Sequence, residues 1–177
     1  FEGKDFEDWK VTGTAFGDKP ANVHWRDFTG TVASSHSGTK NAIGTLTSPE
    51  FRITHKYINL RVSGKKSKYL SVQLIQNHKV IDTIYGSEGW VPRTFDVRKL
   101  LAQKVQIKII DDDKRTRGSG NRLQGMHILV DDIRQSDSPF MPEGNEGLEE
   151  VPVDATGYLP SGEEYTDSRG LKKSLMK

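Results

Sequence analysis

The sequence contains no cysteine, which excludes disulfide bonds, thiolate nucleophiles and cysteine-ligated metal or haem sites within these residues. It also lacks an apolar run long enough to cross a bilayer, and its beginning does not read as a signal peptide. Walker, GxGxxG, GxSxG and HExxH motifs are absent, so the common enzyme signatures are missing. We therefore expect a fold held together by its hydrophobic core, with no membrane insertion and no catalytic activity.

Charge is distributed unevenly along the 177 residues. Residues 138–177 contain eight Asp and Glu against four Lys and Arg, a net charge of −4, which leaves +6 for residues 1–137 of the whole-chain +2. The length fits one domain with an appendage. Because the chain begins with Phe1 rather than Met, we expect it to be a piece of a longer protein.

Short β-prone runs separated by Gly, Pro, Ser and Asn predict an all-β fold, an antiparallel β-sandwich of the jelly-roll type. In YLSVQLIQ the apolar residues alternate with polar ones, which gives the strand one buried and one exposed face. QNHKV (76–80) predicts a tight hairpin, and RKLLAQ (98–103) a single helical turn. Strands are predicted at 8–13, 29–35, 42–48, 50–54, 57–63, 69–76, 79–86, 91–97, 104–111 and 126–133.

The alternation stops after residue 137. The following residues are rich in Pro, Gly and acids, a composition typical of an extended segment or linker. The final TDSRGLKKSLMK suggests a short terminal helix, although Gly170 disfavours it. We therefore divide the chain into a β-sandwich module, 1–137, and an extended acidic tail, 138–177.

Carboxylates stand at both ends of the predicted sandwich. Glu2 lies in the opening FEGKDFEDW, and Asp131 and Asp132 lie in the last predicted strand, MHILVDDI. First and last strands lie side by side in many jelly rolls, so the two groups can meet, and Ca²⁺ is bound by carboxylate and carbonyl oxygens of this kind. A solvated acidic edge and a catalytic carboxylate pair are the alternatives. We expect one structural calcium ion.

Four aromatic residues are candidates for a platform that stacks against a sugar ring: Trp25, Tyr57, Tyr85 and Trp90. An aromatic face offers apolar contact while neighbouring amides and charges bind hydroxyl groups. Trp90 follows GSEG and is the best exposed candidate, whereas a core position suits Trp25 equally well. Trp9 lies in the first predicted strand and is expected in the core.

Two basic clusters, KKSK (65–68) and KRTR (114–117), invite a nucleic-acid interpretation. Acids lie between the Lys and Arg, and no nucleic-acid-binding motif accompanies them. We expect solvated hairpin tips and no nucleic-acid partner. The five His show neither metal-ligand nor catalytic-triad spacing.

A resemblance is carried by six segments in a fixed order: FEGKDFEDWKVTG, GTLTSPEFRI, YINLRVSG, VQLIQNHKVIDTIYG, FDVRKLLAQKVQIKIIDDD and GMHILVDDIRQSD. Together they resemble the carbohydrate-binding-module-like β-sandwich of large secreted bacterial proteins, such as planctomycete-type cytochrome c proteins and levanase-like glycoside hydrolases. The matches to its opening and closing residues are Phe1, Glu2, Phe6, Trp9, Val130, Asp131 and Ile133. Asp132 stands where the family often has His, so the resemblance favours Asp131 as the calcium ligand.

This resemblance spans residues 1–137 and implies a non-catalytic module with one structural calcium ion that binds polysaccharide. Its parent would be a secreted or periplasmic protein associated with the cell surface. The family's Gly-Gly-Trp-Gly-His-Ile stretch is only partly kept, since GNRLQGMHI lacks the Trp. The tail resembles a segment that follows a haem-binding domain in the same proteins, which implies an alternative: a scaffold module that contacts neighbouring domains and binds no sugar.

Overall fold

The computed structural model describes residues 1–25, 28–36, 42–114 and 127–140, together with the backbone of 165–166 and 172–173. The chain divides into two compact units, Phe1–Pro142 and Glu143–Lys177. We placed the boundary at residue 137, and hydrogen bonds to the sandwich continue as far as Phe140.

The elements of the first unit follow the predicted β-prone runs, with one addition. They are β1 (Lys10–Gly13), β2 (Ala21–Trp25), β3 (Phe28–Ser34), β4 (Gly44–Thr47), β5 (Phe51–Arg52), β6 (Tyr57–Gly64), β7 (Leu70–Gln76), β8 (Lys79–Tyr85), β9 (Val91–Asp96), the 3₁₀ turn η1 (Arg98–Leu100), β10 (Lys104–Asp111) and β11 (Ile128–Ser136). The helical turn expected at 98–103 is confirmed by η1. The strand β2 was not predicted.

Two antiparallel sheets form a sandwich, which confirms the predicted fold class. One sheet has the order β1-β4-β10-β7-β8, with β5 also paired to β10, and the other has the order β2-β3-β11-β6-β9. The chain changes sheet repeatedly, from β3 to β4, from β6 to β7 and at each step from β8 to β11. Such crossing between two sheets is the jelly-roll arrangement.

Alternation along the strands fills the space between the sheets. Ile58, Leu60 and Val62 of β6 face the core from one sheet, and Ile107 and Ile109 of β10 face it from the other. Burial of a side chain of this size stabilises the fold by about 1.5–3 kcal/mol. The opposite face of each sheet, which we call its outer face, carries the intervening residues.

The turn between β7 and β8 is the predicted hairpin. Asn77 and His78 have φ values of 49° and 62°, and Gln76 pairs with Lys79. Two successive positive φ values are those of a type I′ turn, whose twist matches that of the flanking strands. Asn tolerates this conformation better than most residues.

A β-bulge in β11 explains why two aspartates interrupt an otherwise apolar strand. Pairing with β6 shifts between Asp131 and Arg134, and Asp132 has a φ of 54°. The bulge inserts one extra residue, so the alternation resumes out of phase. Val130 lies in the core before it, and Ile133 packs against the core after it.

The second unit contains β12 (Tyr165–Thr166) and β13 (Lys172–Lys173), which pair in antiparallel orientation. These short strands stand where we expected a terminal helix. Thr166 pairs with Lys172, and the presence of Gly170 in this part of the sequence disfavours helix. In the described part of the chain, no helix is long and apolar enough to span a membrane.

Substitutions at Asp132 test the left-handed bulge. Replacement by Gly and replacement by Ala remove the same carboxylate, but only Gly adopts the φ of 54° without steric cost. We expect D132G to be more stable than D132A by about 1 kcal/mol, measured by urea unfolding. Equal unfolding midpoints for the two variants would contradict the bulge.

Candidate functional site

Phe28 and Trp90, which we call the aromatic pair, lie in contact although they come from strands at different places in the sheet. Their ring centroids are 4.6 Å apart with an interplanar angle of 39°. Phe28 begins β3 and Trp90 immediately precedes β9, while β11 and β6 lie between these strands in the sheet order. Neither ring belongs to the hydrophobic core cluster.

The path of β3 explains this contact. Its pairing with β11 is confined to Ala33 and Ser34, so the end of β3 that carries Phe28 is not tied to β11. The ring contact shows that this end turns toward β9. Trp25 pairs with Phe28 in the β2–β3 register, so the backbone places Trp25 at the same end of the hairpin.

Two polar side chains, Ser87 and Arg93, flank Trp90 in the sequence. Arg93 of β9 donates from Nη2 to Ser87 Oγ at 3.1 Å and from Nη1 to the carbonyl oxygen of Pro92 at 3.2 Å. A guanidinium carries five N–H donors, so further donors remain for another acceptor. The Nε1 atom of Trp90 is buried and has no hydrogen-bond partner among the described residues, so packing holds this ring.

Residues 138–140, which we call the strap, cover another part of the same outer face. Asn59 of β6 donates from Nδ2 to the carbonyl oxygen of Ser138 at 2.9 Å, and its Oδ1 accepts from the backbone nitrogen of Phe140 at 3.0 Å. Thr94 Oγ1 donates to the same Oδ1 at 2.8 Å. Asn59 is therefore only 3% exposed, although it does not face the core.

The ring of Phe140 contacts two guanidinium groups. The Cζ atom of Arg61 lies 5.5 Å from the ring centroid, and that of Arg134 lies 4.9 Å away. Such distances allow cation–π attraction at both contacts. Strap and sheet are thus joined by hydrogen bonds and by ring contacts.

The four predicted aromatic residues do not form a single platform. Tyr57 pairs with Asp96 at the far end of β6, six residues or about 20 Å from the level of Trp90. Tyr85 is 47% exposed, but it belongs to β8 in the other sheet. Sequence reasoning missed Phe28, because only the tertiary path of β3 brings it to Trp90.

The ring of Tyr57 contacts an exposed ion pair. Arg98 Cζ lies 5.8 Å from the Tyr57 ring centroid, and Arg98 donates to both carboxylate oxygens of Asp96, from Nη2 at 2.6 Å and from Nε at 3.0 and 3.1 Å. The side-chain hydrogen bond from Arg98 is the main cause that lowers the pKa of Asp96, and the backbone N–H of Arg98 adds to it.

The predicted calcium ligands are placed as follows. Asp131 is buried, and its Oδ1 accepts from the backbone nitrogen of Phe1 at 3.2 Å, so the two ends of the sandwich do meet. Asp132 faces Arg134 Nη1 at 3.4 Å and Arg61 Nε at 3.8 Å. Glu2 is exposed.

This arrangement does not fit a calcium site built on all three residues. Guanidinium groups occupy the surroundings of Asp132, and a cation there would be repelled. Across the described ranges, no group of three or more His, Cys, Asp or Glu is gathered as a metal ligand set. Calcium bound by Glu2 and Asp131 alone remains a prediction.

No protein-family model matches the chain, and no curated protein matches it either. Among solved structures, TmCBM61 in complex with β-1,4-galactotriose is similar over 75% of this chain and 92% of that chain, with 11% identity and a TM-score of 0.47. The K1 adhesin domain of Lys-gingipain from Porphyromonas gingivalis W83 is similar over 76% of this chain and 95% of that chain, with 16% identity and a TM-score of 0.45.

The secreted serine protease VesC from Vibrio cholerae is similar over 64% of this chain, with 9% identity and a TM-score of 0.40. This chain spans 23% of the length of that protein. The similar structures thus include carbohydrate-binding modules and adhesin domains. All of these similarities are weak, and the fold class rests on the strand order and pairing of the chain itself.

Replacement of Asn59 by Ala tests the strap. The change removes the partner of the Ser138 carbonyl and of the Thr94 hydroxyl hydrogen, and it leaves the Phe140 N–H with Thr94 Oγ1 alone. We expect a loss of about 2–3 kcal/mol in the free energy of unfolding. Urea unfolding of N59A measures it, with N22A at the exposed Asn22 as the matched control. A loss no larger than that of the control would show that the strap does not stabilise the sandwich.

Replacement of Asp96 by Asn tests the exposed ion pair. Because the pKa of Asp96 is lowered in the folded state, the pair contributes stability above the unfolded pKa, near 3.8, and loses it as the pH falls through the folded pKa. The wild type should therefore be slightly more stable than D96N at neutral pH, and this difference in stability should disappear in strong acid. Urea midpoints across pH measure this, with D8N as control; a gap that persists in strong acid would refute it.

Proposed function

We propose that this chain is a non-catalytic carbohydrate-binding module, and that the aromatic pair is its sugar contact. The observation that supports this is the position of Phe28 against Trp90, outside the core and on the side of the sheet that faces away from it. Both side chains are partly exposed, so part of their apolar surface is available for a partner.

Sugar recognition combines an apolar surface with hydrogen-bonding groups. The C–H face of a pyranose packs on an aromatic ring, while its hydroxyl groups need donors and acceptors at the rim. Ser87 and Arg93, which flank Trp90 in the sequence, are bonded to each other, so the guanidinium is held in place before a ligand arrives. A held donor costs less entropy on binding than a mobile one.

The setting of this module is part of the same proposal. We propose that it belongs to a larger secreted protein, periplasmic or associated with the cell surface, and that its ligand is a polysaccharide encountered outside the cytoplasm. The resemblance stated from the sequence supports this setting. More specifically, we propose that the larger protein is a multidomain protein that contains haem.

A scaffold role is the second candidate, and the strap favours it. The hydrogen bonds at Asn59 and the Phe140 contacts use part of the outer face to fix a segment of the chain rather than a ligand. In this version, the rest of that face contacts a neighbouring domain and no sugar binds.

A glycan array followed by titration of the best ligand tests the choice. We expect a plant, algal or microbial polysaccharide to bind, and we expect W90A and F28A each to weaken it by roughly tenfold. Y85A, which removes an exposed aromatic ring from the other sheet, should bind as the wild type does. Thermal unfolding of each variant shows whether the fold is retained.

A blank array with a folded protein would favour the scaffold role. Binding that is lost in Y85A but kept in W90A and F28A would keep a sugar-binding function and reject this site.

A further inference from the structure

Two cavities of the sandwich share Trp9 and Ile133 as lining residues, and neither is lined by a residue of the aromatic pair. The smaller, of about 250 Å³, is lined by three aromatic residues and three carboxylates: Phe1, Phe6, Trp9, Glu2, Asp5 and Glu7. The larger, of about 380 Å³, is mainly apolar, with Pro49, Phe51, Ile58 and Ile107 beside the shared residues. We call them the acidic cavity and the apolar cavity.

The aromatic rings of the acidic cavity stand at angles to one another. Phe1 contacts Phe6 edge to face at 6.1 Å and 82°, and it contacts Trp9 at 5.3 Å and 58°. All three rings line the acidic cavity. A cation is attracted to the face of an aromatic ring, most strongly to that of Trp.

The carboxylates add negative charge to the same space. Glu2, Asp5 and Glu7 are all exposed, and one oxygen of Asp5 accepts from the backbone nitrogen of Glu7 at 2.8 Å. They are not gathered closely enough to form a metal ligand set within the described residues. Carboxylates spread around an aromatic space suit a cation larger than a bare metal ion.

The polar side chains that line the apolar cavity already have hydrogen-bond partners within the chain. Ser48 Oγ donates to the carbonyl oxygen of Pro49 at 2.8 Å and accepts from the Ile107 nitrogen at 2.9 Å. Gln135 is likewise bonded to the backbone of Thr54 and Arg52. Arg134 at the rim already faces Asp132. Because these polar groups are already paired, the cavity favours an apolar group of a ligand.

We infer that the two cavities bind an organic cation with an apolar stem. The ammonium group lies in the acidic cavity against Trp9 and Phe1, and the stem lies along Ile133 in the apolar cavity. The ligand class is an alkylammonium compound. This site is separate from the aromatic pair and does not depend on the proposed sugar binding.

Calorimetric titration of the full chain with hexylammonium and with hexanol tests the inference. Hexylammonium should bind, and hexanol should bind at least about tenfold more weakly because it lacks the charge. Hexanol binding as tightly as hexylammonium would overturn the inference, and so would no binding of hexylammonium.

Isosteric variants locate the site without disturbing the core. The triple variant E2Q/D5N/E7Q keeps the shapes of the side chains, so it should fold normally and bind hexylammonium about tenfold more weakly. E88Q at the exposed Glu88 is the matched control. Unchanged binding in the folded triple variant would overturn the assignment. Because glycan binding should be unaffected in it, failure here is distinguishable from failure of the sugar proposal.

Discussion

The bulge in β11 is the constraint on which the rest of the structure depends. β11 is the middle strand of its sheet, paired on one side with β3 and on the other with β6. One left-handed residue, Asp132, changes which side chains face the core. Before it, Val130 lies in the core and Asp131 meets the beginning of the chain; after it, Ile133 returns to the core edge and Arg134 reaches Phe140. Both candidate sites and the strap are therefore arranged around this strand.

Much of the fold could be predicted because it follows from the local periodicity of apolar and polar residues. The alternation in β7 and β10, the Asn77 turn and the short helical turn at 98–100 all arise from neighbouring residues. β2 was missed, although Ala21, Val23 and Trp25 alternate, because the run is short and follows Pro20. The phase change at Asp132 could not be predicted, since a bulge depends on the partner strand as well as on the strand that contains it.

The sites depend on long-range geometry, and sequence reasoning reached them only in part. Trp90 was identified as a candidate from its loop context, but its partner Phe28 lies far away in the sequence and is joined by the turning of β3. Trp9 was assigned to the core, and it does pack there; its second role as a cavity wall is visible only once Ile133 is placed beside it. For Asp132 the sequence was misleading: we predicted a metal ligand, whereas in the fold its carboxylate faces Arg61 and Arg134.

The strap also has a mechanical meaning. Tension applied to the chain beyond Phe140 would first load the hydrogen bonds at Asn59 and Thr94 and the two guanidinium contacts to the ring. Asn59 and Arg61 belong to β6 and Thr94 belongs to β9, so these strands would share the load with β11, which carries Arg134. The strap thus reduces the tension that reaches the central strand of the sheet.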